Sequence, residues 1–262
     1  MTSGNSLRDE MPQGQTCEVR VAAVGDVHVA ADAAGRLRAE LDGISQRADV
    51  LLLAGDLTHR GRPQEAEVVA DELADIGIPV VAVLGNHDYH TDQQHLVTEV
   101  LERSGVHVLE GDGIVLDVGS ARVGVAGTKG FGGGFAGRTA SEFGEPEQRA
   151  FVALSRRLAG GLEQALAGLD ADVKVALMHY SPVAETLTGE PREIHVFLGS
   201  DLLAEAVDRA GADLAVHGHA HRGSRTGMTA GGVPVRNVAK PVIGCPYEVL
   251  CLTADLSPAA SA

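Results

Sequence analysis

The chain has 262 residues, of which 36 are acidic and 21 are basic, so its formal net charge is −15. Hydrophobic residues make up 44% of it, which provides a buried core and excludes the disordered and fibrous classes. Its longest uncharged stretch, residues 76–87, falls short of the roughly 20 residues that a membrane-spanning helix needs. We therefore expect no membrane as partner. We also expect no nucleic-acid polymer, because binding to a phosphate backbone requires a basic face.

The two ends of the chain are polar. Arg8, Asp9 and Glu10 would interrupt the apolar core of any signal peptide. We therefore expect a flexible N-terminal tail over residues 1–16, a single domain over 17–255, a C-terminal tail over 256–262 and a cytoplasmic location. The three cysteines lack metal-binding spacing, so we expect buried thiols. The sequence leaves the oligomeric state open.

Apolar runs alternate with helix-like segments in the first hundred residues. The pattern predicts strands over 19–24, 50–54 and 79–84, with helices over 31–48 and 63–76. This alternation is typical of a parallel α/β layout.

In the remaining chain the strand-like runs first follow one another more closely. Close strand-like runs over 106–109, 114–118 and 122–126 indicate hairpins rather than crossovers. A glycine-rich loop follows over 129–137. Further helices are predicted over 145–169 and 201–210, and further strands over 173–178, 213–216, 233–238 and 248–253. We expect two sheets packed together, with helices outside.

Five segments place Asp, Asn or His just after a predicted strand. Their polar residues are Asp26 and His28; Asp56 and His59; Asn86, His87 and Asp88; His179; and His217, His219 and His221. Ligand sites of open α/β sheets lie outside the carboxyl ends of the strands, so these segments are expected to converge.

Imidazole nitrogens combined with carboxylate and amide oxygens suit Mn, Fe, Co, Ni or Zn. Seven or eight such groups are too many for one tetrahedral zinc and fit two metal ions with open positions. Residues two apart in extended backbone point the same way, so Asp26 with His28, and His219 with His221, can each face one pocket. Gly25, Gly55, Gly85 and Gly218 permit tight turns beside them.

The ordered motifs DxH, GDxx, GNHD, H and GHxH resemble those of the calcineurin-like metallophosphoesterase superfamily. They extend from Asp26 to His221, about three quarters of the chain. The resemblance implies an α/β fold in which two mixed β-sheets pack as a central sandwich flanked by helices. It also implies hydrolysis of a phosphate ester by attack of a metal-bridging hydroxide on phosphorus.

The resemblance further implies the roles of individual residues. Asp26, His28 and His221 would hold the first metal, Asn86, His179 and His219 the second, and Asp56 would bridge both. The ions would be Mn, Fe or Zn. His87 would not be a ligand, but would face the leaving-group oxygen as a general acid or as a cationic stabiliser.

One stretch departs from known branches of the superfamily. Phosphoprotein phosphatases have GDxxDRG, in which the second Asp orients the catalytic histidine, whereas His59 stands at that place here. Purple acid phosphatases have a tyrosine ligand at the same place, so a tyrosinate–iron site is not expected. Arg60 is either a phosphate contact or a solvated turn residue. We take His59, Arg60 and Asn86 as candidate substrate contacts.

The sequence constrains the substrate only broadly. Some segments also resemble small bacterial cyclic-nucleotide phosphodiesterases, but His179 is followed by Tyr-Ser-Pro where that group commonly has His-Pro-Pro. We expect a small phosphorylated substrate, with a phosphodiester such as a cyclic nucleotide favoured over a monoester. The alternatives are a phosphomonoesterase, a nuclease, and a non-catalytic metal-binding scaffold for protein partners.

Two predicted loops and one histidine carry open alternatives. The aromatic residues of loops 128–145 and 180–199 either stack on a substrate or pack the loops down: Phe131, Phe135, Tyr180, His195 and Phe197. His217 either supports the ligands or ends its strand pointing away from them. His95 and His107 are expected to be surface residues.

Overall fold

The computed structural model of the chain describes residues 16–256. A five-stranded sheet has the order β13-β1-β2-β3-β4. Its strands are β1 (Thr16–Val24), β2 (Val50–Ala54), β3 (Val80–Val83), β4 (His107–Val108) and β13 (Glu248–Asp255). The first four of these are parallel, and β13 runs antiparallel to β1 at one edge.

A six-stranded sheet has the order β11-β12-β10-β9-β6-β5. Its strands are β5 (Asp112–Val118), β6 (Ala121–Thr128), β9 (Val173–Met178), β10 (Leu214–His217), β11 (Thr226–Met228) and β12 (Pro234–Asn237). Its four central strands, β6, β9, β10 and β12, are parallel. A separate small hairpin pairs β7 (Gly134–Phe135) with β8 (Arg138–Thr139).

Seven α-helices are found within residues 16–256. They are α1 (Arg36–Glu40), α2 (Pro63–Leu73), α3 (Gln94–Arg103), α4 (Pro146–Gly168), α5 (His195–Leu198), α6 (Asp201–Ala210) and α7 (Lys240–Ile243). None of them is long and apolar enough to cross a bilayer.

The main core lies between the two sheets. Alternate side chains of the second sheet, such as Val125 and Leu177, share it with the strands of the first. Their neighbours Ala126 and Ala176 belong to a second core, in which Leu162 of α4 takes part. Because side chains of a strand alternate between faces, this pattern assigns each residue to the inner or the outer face. The predicted sandwich of two mixed sheets with flanking helices is confirmed.

Three local predictions were wrong. Only α1 and a short 3₁₀ turn form within 31–48, because Gly35 and Gly43 adopt left-handed conformations (φ 85° and 67°) that interrupt a helix. Strand β4 is not part of a hairpin but pairs in parallel with β3, and α3 provides the crossover. Cys17 and Cys245 are half-buried and Cys251 is exposed, so the thiols are not buried as a group. Cys17 and Cys251 lie on β1 and the edge strand β13.

The two predicted tails fall largely outside the described residues. Residues 1–15 and 257–262 are not described, while Thr16, the last residue of the predicted N-terminal tail, begins β1 opposite Asp255. His95 and His107 are exposed, as predicted.

Candidate metal centre

The predicted ligands lie in loops that follow five parallel strands. Three of these strands, β1, β2 and β3, belong to the first sheet, and two, β9 and β10, belong to the second. The loops bring the side chains into three overlapping groups, within each of which the donor atoms lie within 4.8 Å of one another. The groups are Asp26, His28 and His221; His28, Asp56 and His87; and Asp56, His179 and His219.

Asp56 belongs to two of these groups and so connects them. Its Oδ2 is 3.7 Å from His28 Nε2, and its Oδ1 is 3.4 Å from His179 Nε2. The carboxylate is 1% exposed, so water does not compete for it. Each of its two oxygens therefore faces a different histidine, which is the arrangement that a bridging ligand needs.

The first group is centred on the buried Asp26. Its Oδ1 accepts a hydrogen bond from His221 Nε2 at 2.8 Å, and its Oδ2 accepts one from the His219 backbone N–H at 2.9 Å. Burial alone would raise the pKa of Asp26, but the His221 hydrogen bond and the nearby imidazoles lower it overall. The same hydrogen bond raises the pKa of His221. Burial lowers the pKa of His28 to about 4, so this ring is neutral at neutral pH.

The second group contains two rings that the backbone orients. His179 is fully buried, and its Nδ1 donates to the Ala54 carbonyl at 2.8 Å. His219 directs Nε2 to the Phe197 carbonyl at 3.3 Å, which leaves Nδ1 for the group. Burial lowers the pKa of His219 to about 3. Both rings can therefore offer a nitrogen lone pair to a metal ion.

The donor chemistry of the second group fits a cation. In the tautomer whose Nδ1 donates to Ala54, the lone pair of His179 Nε2 points at Asn86 Oδ1, 2.9 Å away. Asp56 Oδ1 lies on the same side, so two oxygen acceptors and one nitrogen acceptor face one another. A shared cation relieves this conflict, and a mixed nitrogen and oxygen donor set suits Mn, Fe or Zn.

Backbone strain concentrates at the same residues. Asp26, His28, Asp56 and His219 all have positive φ, between 44° and 68°, although none is glycine. Such conformations cost on the order of 1–3 kcal/mol each and persist where the surroundings enforce them. Four of the six residues of this kind among 16–256 are predicted ligands, and strain of this kind is characteristic of functional sites.

Two glycines allow the ligands to approach the backbone. A Cβ atom on Gly85 would lie 2.1 Å from Asp56 Oδ1, and one on Gly218 would lie 2.4 Å from Asp26 Oδ2. Glycine is therefore required at these two positions not only for the turn but because any side chain would displace a carboxylate.

Asp88 ties together the loops that carry Asp56 and Asn86. Its buried carboxylate accepts hydrogen bonds from the backbone N–H groups of Leu57, Thr58 and Gly85 and from the Thr58 hydroxyl. Burial and the charge of Asp56 raise its pKa, although the hydrogen bonds from Gly85 and Thr58 act in the opposite direction. Asp88 therefore contacts the loop backbones rather than any of the imidazole rings.

A main-chain carbonyl orients the ring of His87. Its Nδ1 is 2.8 Å from the carbonyl oxygen of His59, and its Nε2 is 3.9 Å from Asp56 Oδ2. The ring centroid lies 4.4 Å from that of His28 and 4.3 Å from that of His90. The His59 carbonyl therefore does what the second Asp of GDxxDRG does in phosphoprotein phosphatases, namely fix the ring so that Nε2 faces the site.

The remaining candidate substrate contacts lie further out. The His59 ring is exposed, with its centroid 6.4 Å from those of His28 and His87. Arg60 is also exposed, and its backbone N–H donates to Glu65 Oε2 at 2.7 Å. Both stand at the rim of the histidine cluster, while Asn86 is part of it. Their contact with substrate stays a prediction.

His217 points away from the centre, as one of the two alternatives predicted. It lies on the outer face of β10, where Nε2 contacts the Thr186 hydroxyl at 2.8 Å. The sequence did not single out His90, Tyr89 or Lys129, which also line this region. For His90 and Tyr89 the available signal was their position directly after GNHD.

A cavity of about 650 Å³ lies among the segments around β7, β8 and the 180–199 loop. Its lining includes Phe135, Arg138, Leu187, Glu190, Arg192 and His195. Two contacts join this region to the ligand loops. The Arg222 backbone N–H donates to Oε1 of the lining residue Glu190 at 2.7 Å, and His219 contacts the carbonyl of Phe197, which follows the lining residue Val196. Two of the loop aromatics, Phe135 and His195, face this cavity, whereas Phe131 and Tyr180 pack against each other.

The sandwich of two sheets has the metallophosphoesterase fold, and candidate metal ligands lie at its edge. The family model of the calcineurin-like phosphoesterases matches residues 19–223, and the chain belongs to that family. This confirms the resemblance predicted from the five motifs.

Two bacterial relatives match a segment of the chain. A protein of Synechococcus named a probable cyclic nucleotide phosphodiesterase is 33% identical over 101 residues, which are 35% of this chain and 38% of that protein. A protein of Rhodococcus erythropolis with the same description is 36% identical over 78 residues, 27% of this chain and 26% of the relative. The chain thus matches well under half the length of these relatives.

Solved structures share the fold at low identity. The phosphopantetheinyl hydrolase from Mycobacterium tuberculosis superposes with a TM-score of 0.65 and 15% identity, covering 88% of this chain and 95% of that one. The Thermus thermophilus protein TT1561 gives a TM-score of 0.55 and 15% identity, with 91% and 99% covered. These likenesses concern the fold alone.

Proposed function

We propose that the chain is a binuclear metal-dependent phosphoesterase that hydrolyses a small phosphorylated substrate. The observation that carries the proposal is the position of Asp56, whose two carboxylate oxygens face His28 on one side and His179 on the other. Asp26, His28 and His221 would hold one ion. Asn86, His179 and His219 would hold the other, and Asp56 would bind both. Membership of the calcineurin-like phosphoesterase family supports this assignment.

Two of the predicted ligand histidines, His28 and His219, are neutral at neutral pH, so each has a nitrogen lone pair available for a metal ion. Two bound ions of this kind supply positive charge to the phosphoryl oxygens and lower the pKa of a water, which provides a nucleophile. The low pKa values of His28 and His219, about 4 and about 3, mean that these rings need not lose a proton before they bind. The lowered pKa of the buried Asp26 keeps its carboxylate ionised as a partner for an ion.

His87 is the residue that we assign to the leaving group. Its Nδ1 is engaged by the His59 carbonyl, so Nε2 is the nitrogen that can hold a proton toward the site. From there it would donate that proton to the ester oxygen as the bond to phosphorus breaks, or stabilise the charge on that oxygen. Asn86 would direct its amide toward the phosphoryl group while its Oδ1 serves the second ion.

The cavity beside the centre would receive the organic part of the substrate. Its polar and apolar lining and its size, about 650 Å³, suit a nucleotide-sized group better than a polymer. The net charge of −15 also disfavours a nucleic-acid polymer. The names of the two bacterial relatives support a phosphodiester, such as a cyclic nucleotide, over a monoester.

The test combines metal analysis with turnover. Protein purified without chelator is expected to carry Mn, Fe or Zn, and to hydrolyse bis-p-nitrophenyl phosphate faster than the monoester in a reaction that chelation abolishes. Cyclic nucleotides, nucleotides and phosphosugars complete the panel. If protein with two equivalents of each metal hydrolysed none of these esters, the proposal would be wrong and a metal-binding scaffold would be the better interpretation.

Asp56→Asn tests the bridging assignment itself. Loss of the bridging charge is expected to reduce the metal content below two ions per chain and to lower turnover by at least about a hundredfold. Asp117→Asn is the matched control, because Asp117 is exposed on β5. A fully active Asp56→Asn protein with two bound ions would remove the bridging role.

A further inference from the structure

Lys129 is a buried lysine that directly follows β6. It is one of only three lysines in the chain, and it is 8% exposed. Its Nζ lies over three aromatic rings, 4.5 Å from the centroid of Tyr89, 4.9 Å from that of Phe131 and 5.7 Å from that of Tyr180. Tyr89 follows the GNHD segment and Tyr180 follows His179, so the ammonium group lies next to the ligand loops.

The register of the second sheet directs Lys129 to the metal centre. Thr128 of β6 is paired with Met178 of β9, so Lys129 stands beside His179, whose N–H donates to the Lys129 carbonyl at 3.1 Å. Neighbouring residues in register on adjacent strands point to the same face. Val125 and Leu177 place that face toward the first sheet. Lys129 and His179 therefore project into the same space between the sheets, on the side of Asn86.

The ammonium group makes no direct ion pair with a carboxylate of residues 16–256, although the charges of Glu110 and Asp56 act on it from further away. No carboxylate of residues 16–256 lies within 4.0 Å of Nζ, whereas Lys240 is paired with Glu40 at 2.6 Å. Glu110 instead accepts a hydrogen bond from the Tyr89 hydroxyl at 2.9 Å. The faces of aromatic rings offset only part of the free-energy cost of burying a cation, and buried charges in proteins are generally paired. An anion brought in by a ligand would supply the missing partner.

We propose that Lys129 binds a non-esterified phosphoryl oxygen of the substrate on the Asn86 and His179 side of the centre. The proposal rests on the proposed function, since it requires a phosphoryl group at this site. Lys129 would then position the phosphoryl group of a diester as well as that of a monoester, because both carry non-esterified oxygens that accept charge-assisted hydrogen bonds. The proposal also predicts that inorganic phosphate, which carries the same kind of oxygen, binds at this site.

Phosphate binding tests the proposal independently of turnover. Inorganic phosphate is titrated calorimetrically into metal-loaded wild type, Lys129→Met, Lys129→Arg and the control Lys174→Met, with metal content measured for each. Lys174 lies at the opposite end of β9 and is only partly buried. We expect Lys129→Met to weaken phosphate binding by about ten- to a hundredfold with unchanged metal content, since hydrogen bonds to charged groups are of this strength. Lys129→Arg should retain most of the affinity, and Lys174→Met all of it.

A second measurement uses the wild-type side chain and so does not depend on how the variants fold. Reductive methylation with ¹³C leaves the lysine charge in place, and three lysines give few resonances. The α-amino group also reacts and is recognised by its lower pKa, and the Lys129 resonance is then assigned by elimination with Lys174→Met and Lys240→Met. We expect phosphate to shift this resonance in the metal-loaded protein.

The outcomes separate this proposal from the proposed function. If wild type hydrolyses phosphate esters but Lys129→Met binds phosphate as tightly as wild type, or the Lys129 resonance does not move, Lys129 is only a structural cation among aromatic rings. If phosphate binding depends on Lys129 but no ester is hydrolysed, the proposal for Lys129 stands and the enzymatic function fails.

Discussion

At the scale of single residues, main-chain carbonyls determine how the histidines are presented. The carbonyls of Ala54, His59 and Phe197 each contact one ring nitrogen, of His179, His87 and His219 respectively. The nitrogen left over faces the centre in each case. Hydrogen bonds to the far nitrogen of a ligand imidazole fix its tautomer and orientation. Here that function belongs to the backbone, so no single substitution at those three positions removes it.

His87→Ala should separate proton donation from metal binding. Because His87 is not among the predicted ligands, we expect the metal content to stay the same. Turnover should fall by about 10²- to 10⁴-fold for esters with alkoxide leaving groups and much less for p-nitrophenyl esters, whose leaving group needs no proton. Rates are compared across a series of leaving groups.

The matched control for this variant is His90→Ala, because the His90 ring packs on His87 but belongs to none of the three donor groups. An equal loss for good and poor leaving groups in His87→Ala would contradict the assigned role.

At the scale of elements, the site depends on how two loops after β2 and β3 are joined. Asp88 accepts hydrogen bonds from both loops, and Gly85 lets the Asp56 carboxylate lie against the second loop. Neither residue is a predicted ligand. Their role is to hold Asp56 and Asn86 at a fixed separation, which a two-metal site requires.

Asp88→Asn should destabilise the protein even though the side-chain shape is kept. The new amide group would face N–H donors that now reach a carboxylate oxygen, so we expect a loss of about 2–4 kcal/mol in the free energy of unfolding. Chemical denaturation of the metal-free protein measures it. Asp117→Asn, on the exposed side of β5, should change the free energy of unfolding by less than about 0.5 kcal/mol. Equal stability of the two variants would refute the proposed link between the loops.

Gly85→Ala should reduce metal binding by displacing a ligand. The added Cβ atom would overlap Asp56 Oδ1, so the carboxylate must move away from one of the two histidines. We expect fewer than two ions per chain by elemental analysis. Gly160→Ala is the control, since a Cβ atom there meets nothing within 4 Å on α4, and it should stabilise the helix by roughly 0.5–1 kcal/mol. Full metal occupancy in Gly85→Ala would show that the close approach is not needed.

At the scale of the whole molecule, the negative charge and the site are separated. The net charge of −15 describes the chain, while the site combines two predicted carboxylate ligands with a group of imidazoles. Two divalent ions there would create a local positive centre within an acidic protein. On the proposed function, such a protein would attract a small phosphate ester at one place and would repel a long polyanion.

The stability of the metal-free protein should depend on pH through buried histidines. Burial lowers the pKa of His28 and His217 to about 4 and that of His219 to about 3, whereas the unfolded chain binds these protons near pH 6.5. The unfolded state thus holds more protons in this window, so stability is lost as the pH falls from about 6.5 to 4. His221, whose pKa is raised, opposes the trend. We expect a decrease of roughly 1–3 kcal/mol per pH unit.

Urea denaturation at a series of pH values with chelator present measures this slope. Addition of Mn²⁺ or Zn²⁺ above pH 6.5 should raise the free energy of unfolding, because the ions bind the folded state. A flat profile between pH 6.5 and 4.5 would mean that these imidazoles are not buried as neutral rings.

The sequence by itself determined the strand ends, the donor types and the family. Strand periodicity and five ordered motifs are local features, so β1, β2, β3, β9 and β10 and the residues that follow them were predicted close to their observed positions. The early helix was not, because whether Gly35 and Gly43 take a left-handed conformation depends on the packing around them.

Only the tertiary structure decided which atoms face one another. The His59 carbonyl at His87, the three hydrogen bonds from Leu57 and Thr58 to Asp88 and the position of Lys129 beside His179 join segments that are 28 to 50 residues apart. No local pattern encodes such pairs, since they depend on strand register and on the packing of two sheets. The sequence thus supplied the candidate ligands, and the fold arranged the residues that orient them.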